Sequence, residues 1–172
     1  MSLQGKKLTT TALLGAVAIV LSIFESMVLG GSFFGLPGVK LGLANLAVLL
    51  ALRLTNGKTA VFVSVLKSLA SFFVSGAVTV LWYSLAGSLL SLLGMWLLLR
   101  YTQCFSLVGI SAAGGFLSNL GQLCIMILLS GTAEFLYYLP ILTLAGVAAG
   151  AVNGLLALLI ENSTKHIFSR EE

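Results

Sequence analysis

From Thr59 to Leu99 the chain carries one charged residue, Lys67, inside an apolar run roughly twice the length of a membrane span. Ser64, Ser68, Ser71 and Ser75 surround it at helical spacing. An ammonium group at that depth costs several kcal/mol, with estimates from roughly 3 to above 10, so it has to face a polar cavity, a partner charge or a ligand rather than lipid. Lys67 is therefore the strongest pointer to function in this sequence.

Charged residues make up 8% of the 172 and apolar residues 59%, and the mean hydropathy is +1.12. Nine Lys or Arg and five acids cannot cover a soluble domain of this size, so the chain reads as an all-α integral membrane protein. The basic balance does not point to nucleic acid, because the cations are scattered singly and form no patch. Cys104 and Cys124 are far apart, no C-x-x-C occurs and His166 is the sole histidine, so no zinc, haem or dithiol motif is present and no metal or cofactor is expected. Leu8 to Leu29 is too long for a cleaved secretory signal and reads as a retained first span.

A hydrocarbon core about 30 Å thick needs about 20 helical residues, and on that scale residues 1–172 form a single domain of six predicted transmembrane helices. Their expected ranges are 8–29, 41–54, 59–75, 77–99, 105–129 and 140–160. Asn56-Gly57 is a turn signal, and Ser75-Gly76 is the one weak break in the long run around Lys67. The second span is short: about 14 helical residues reach only about 21 Å, as a helix broken near Lys40 would. Lys6, Lys7, Arg53, Lys58, Arg100, Lys165 and Arg170 fall on one side of this frame and Lys40 on the other. That bias predicts a multi-pass protein of the cell membrane with both termini cytoplasmic. No internal repeat is visible.

Helices in lipid associate through small residues that let backbones approach. Gly146, Gly150 and Gly154 make such a stripe on span six, with Asn153 beside it as a donor for an interhelical hydrogen bond or a ligand contact. Ser84, Gly87, Ser88, Ser91 and Gly94 form a second small-residue face on span four. Glu25, in the outer half of span one between Ser22 and Ser26, needs protonation or a partner at that depth. Two readings of Lys67 are open and compatible: an ion pair with Glu25, and a ligand-facing role. Asn119 and Gln122 on span five suit either cross-helix bonding or recognition of a polar solute. Were Lys67, Ser71, Lys40, Asn45, Asn119 and Gln122 to converge, the cavity would favour an anion or a neutral polar ring, partly offset by Glu25.

Two features carry a family resemblance: Ala12-x-x-x-Ala16 at the start of span one, and the string GLPGVKLGLANLAVLLALR from Gly35 to Arg53. Along essentially its whole length the chain resembles the substrate-binding S components of energy-coupling factor transporters. It is most similar to the branch known as Gx transporter or heptaprenyl diphosphate synthase component I. The resemblance implies an S-component-like six-helix bundle that captures a small-molecule solute in an outward-facing pocket. It also implies a transmembrane coupling subunit and cytoplasmic ATPases as partners, alongside membrane lipid. Carried over by position, Ala12 and Ala16 with Gly15 beside them would dock the coupling subunit. Gly30 to Pro37 would belong to the gate, and Lys40 and Asn45 would lie at the rim and wall of the pocket.

The synthase name implies an enzyme, and the residues argue otherwise. Ionising an allylic diphosphate calls for magnesium held by clustered carboxylates, and the only adjacent acids are Glu171-Glu172. No Ser, His and carboxylate can meet when the one His lies in the tail, and no phosphate loop is present. The expectation is a non-enzymatic binding or transport subunit. The alternative is a non-catalytic accessory subunit of isoprenoid or quinone metabolism, or of a flavin-linked electron-transfer assembly.

Overall fold

The computed structural model describes residues 3–28, 32–33, 36–37, 42–101 and 105–168. Among these, six helices follow one another: α1 (Leu3–Val28), α2 (Asn45–Leu54), α3 (Gly57–Ser75), α4 (Val78–Tyr101), α5 (Leu107–Ser130) and α6 (Leu139–Phe168). A 3-10 turn at Ala133–Tyr138 leads into α6. Between α1 and α2, two short strands, β1 (Ser32–Phe33) and β2 (Leu36–Pro37), pair antiparallel. Five of the helical segments are long and apolar enough to cross a membrane, and large apolar side chains such as Phe73, Leu128 and Leu144 point outward, as lipid-facing residues do. Apart from that two-residue strand pair, the described residues form an all-α, multi-pass membrane bundle.

The helix ends follow local chemistry. Gly76 and Gly131 close α3 and α5 in the left-handed region, and the Ser106 hydroxyl accepts from the Gly109 amide to cap α5. The break expected at Ser75-Gly76 is therefore a true helix end.

The second span is corrected. Hydropathy runs unbroken from Leu41 to Leu54, but the helix covers only Asn45–Leu54, about 15 Å, half of a hydrocarbon core. Gly42 adopts φ +81°, which no helix interior accepts, and the backbone turns there before α2 begins. Every residue of α2 from Asn45 to Ala51 is buried, so this half-length helix is the centre of the bundle rather than one of its walls. Leu46, Leu49 and Leu50 of α2 pack with Leu14 and Ala18 of α1, Val63 of α3 and Met95 of α4.

The glycine stripe of α6 meets α5. A Cβ at Gly115 would lie 2.0 Å from the Gly146 carbonyl oxygen, and one at Gly150 would lie 2.4 Å from that of Ser111. Backbone contact at that range leaves no room for a Cβ at Gly115, Gly146 or Gly150, and it seats α5 and α6 as the tightest pair in the fold.

Candidate functional site

The site is built around the place where α2 starts. Lys67 lies near the midpoint of α3, and its Nζ donates to Asn45 Oδ1 in the first turn of α2. The start of α2 is thereby fixed at mid-depth. Glu25 of α1 accepts through Oε1 from the backbone N–H of Gly42. The Gly42 carbonyl takes a bond from Asn153 Nδ2 of α6 at 2.9 Å and another from the Asn45 amide at 2.8 Å. A carboxylate beside the exposed amides of a helix N-terminus is favourable, because those amides and the helix dipole present positive charge.

Serines lock α1 to α3 alongside these groups. Ser22 Oγ donates to the Lys67 carbonyl at 2.9 Å and lies 2.6 Å from Ser71 Oγ. On α5, Gln122 Nε2 donates to Ser118 Oγ at 3.3 Å. Glu25 is 2% exposed, Lys67 6% and Gln122 6%, so five helices enclose a charged and polar centre inside an apolar bundle.

A cavity of about 20 Å³ remains at that centre, bordered by Ser22, Glu25, Gly42, Ala44, Lys67, Ser71, Ser84, Ser118 and Gln122. That is room for about one water molecule. Asn45 Nδ2 and Gln122 Oε1 are buried beside or on this space without a hydrogen-bond partner among the described residues. An unmet buried donor or acceptor costs about 1–3 kcal/mol.

Glu25, Asn45, Lys67, Ser71 and Gln122 thus come together. Asn119 does not join them: its Nδ2 donates to the Leu142 carbonyl of α6 at 2.8 Å, beside a separate small hollow lined by Phe116 and Leu139. Lys40 lies outside the described residues, as does part of the predicted gate from Gly30 to Pro37. Of the docking residues, Ala12 and Ala16 are exposed on the outer face of α1, whereas Gly15 is buried and faces α3. A Cβ on Gly15 would stand 3.1 Å from Leu66 Cδ1. Gly42, Ser84 and Ser118 were not among the predicted site residues. Each had a sequence signal read differently: Gly42 as the second Gly of the G-V-K-L-G-L-A-N string, Ser84 as part of the small-residue face of span four, and Ser118 on the face of span five that carries Asn119 and Gln122.

Five long helices around a half-length helix, with an ion-bearing polar centre at its start, define a polytopic membrane protein with an internal polar site. The family model for heptaprenyl diphosphate synthase component I matches residues 14–160, and the chain belongs to that family. No curated protein and no solved structure gives a match.

Proposed function

We propose that this protein is a membrane solute-binding subunit of the energy-coupling factor type, which captures a small polar molecule at the Lys67 centre and performs no catalysis of its own. The observation that carries this reading is the convergence of Lys67, Glu25, Asn45 and Gln122 at the mid-membrane start of α2. A bundle needing only to stay folded gains nothing from such a centre, since apolar replacements of buried ionic groups are often neutral or stabilising. Broken helices whose ends face a buried hollow are the usual way for membrane proteins to hold polar solutes. The present cavity has room for only about one water molecule, so the solute-bound state is more open, with α2 or the outer segments displaced. Ala12 and Ala16 would dock a coupling subunit driven by cytoplasmic ATPases, with both termini of the chain in the cytoplasm of the cell.

Native mass spectrometry of the purified protein tests this. Wild type is expected to retain a small molecule that Lys67→Met, still folded, does not. A wild-type sample that stays empty at high protein concentration with candidate metabolites present would refute the proposal.

A second reading rests on the family match. The name of the family implies a partner synthase component, and the chain would then be a non-catalytic accessory subunit in isoprenoid metabolism. Co-purification separates the two readings: a coupling subunit with ATPases supports transport, and a soluble synthase supports the accessory role.

A further inference from the structure

A larger hollow lies away from the polar centre, near the end of the bundle that carries Arg53, Lys58 and Arg100. Leu52 of α2, Gly57 and Val61 of α3, and Leu89, Leu93 and Trp96 of α4 line an open apolar groove of about 390 Å³. A Cβ at Gly57 would meet nothing within 4 Å, so the groove is unobstructed at that end. Val61, Leu89 and Leu93 are all more than 40% exposed, which makes the groove part of the lipid-facing surface.

We propose that this groove seats one acyl chain of an anionic phospholipid, whose phosphate is held by Lys58 and Arg100. Lys58 follows Gly57 at the start of α3 and is exposed. Arg100, also exposed, sits over the ring of Trp96 with its Cζ 5.3 Å from the centroid. A Trp ring carrying an Arg at the rim of a membrane helix marks the headgroup level, where long cationic side chains reach for phosphate. Charge complementarity selects the headgroup. Neither α3 nor α4 contains an acid, and the nearby cation Arg53 already faces Glu161 at 3.6 Å, which among the described residues leaves Lys58 and Arg100 for an external anion. Basic positions beside an interhelical groove are a recognised arrangement for anionic lipid.

The test titrates detergent-purified protein with phosphatidylglycerol or phosphatidylcholine and counts bound lipid by native mass spectrometry. Phosphatidylglycerol is expected to be retained in preference. Lys58→Gln combined with Arg100→Gln should weaken its retention about twenty-five-fold, about fivefold for each cation removed. Both side chains are exposed, so the double variant keeps its packing. Gly57→Leu, which fills the open end, should weaken retention of both lipids. Equal retention of the two lipids, or no loss in either variant, overturns the proposal. Displacement of phosphatidylglycerol by equimolar farnesyl diphosphate overturns it too, and assigns the groove to an isoprenoid chain.

Discussion

Glu25 and Asn153, on the first and last helices, hold the two peptide groups that flank the Gly42 Cα: the carboxylate accepts from the Gly42 amide and the carboxamide donates to the Gly42 carbonyl. Gly42 is thereby tied to α1 and α6, while the residue three places on, Asn45, is tied to Lys67 of α3. The polar centre is a knot of backbone and side chains rather than a lone ion pair.

Gly42→Ala should damage the polar centre directly. Its φ of +81° disfavours any side chain, and the new Cβ would stand 3.0 Å from Asn45 Nδ2. We expect a loss of about 1–3 kcal/mol, read as a lower Tm in detergent, together with loss of bound solute. Gly76→Ala is the control, because its φ of +68° is similar but its Cβ meets nothing within 4 Å. It should cost about 1 kcal/mol and leave solute retention intact.

Asn153→Leu removes one of the two grips on Gly42 and leaves its carbonyl with the Asn45 amide alone. Stability should fall by about 1–3 kcal/mol, with solute retention reduced even though Asn153 does not border the cavity. Unchanged retention in a folded variant would show that the position of Gly42 is immaterial to the site.

Ala12→Leu and Ala16→Leu place larger side chains on an exposed face of α1 and should leave stability within about 0.5 kcal/mol of wild type while disrupting partner assembly in a pull-down. Gly15→Leu should do the reverse. It pushes α1 off Leu66 of α3, lowering stability by about 1–3 kcal/mol whatever partner is present.

Glu161→Gln tests whether the C-terminal end of α2 is latched to α6. Arg53 and Glu161 approach to 3.6 Å with the Arg53 side chain 49% exposed, so this pair should contribute less than about 1 kcal/mol. A larger loss of stability would mean that Glu161 contributes more than this half-exposed pair.

Most of the frame was legible because hydropathy and length are direct readings of a bilayer's thickness. The five long helices, the break at Ser75-Gly76 and the turn at Asn56-Gly57 all follow from them. The start of α2 was not legible in that way. Leu41 to Ala44 are as apolar as the helix that follows, and what ends the helix is a single left-handed glycine whose polar groups are met from other helices. The convergence of Lys67, Asn45 and Glu25 could be anticipated because unpaired charge in lipid has few resting places. Asn119 and Gln122 were harder. They lie three residues apart on α5, which is packed between α4 and α6, so both of its flanks are buried and periodicity cannot say which flank each amide serves.

The anchoring of Gly42 by Asn153 also sets an order of assembly. The donor is made 111 residues after the carbonyl it serves, so the nascent chain commits α1 and α3 to the bilayer before the mid-membrane turn has its last partner. Until α6 arrives, that reversal in the backbone is an unfinished piece of the protein, and a ribosome stalled before residue 153 would leave a bundle whose centre has not yet set.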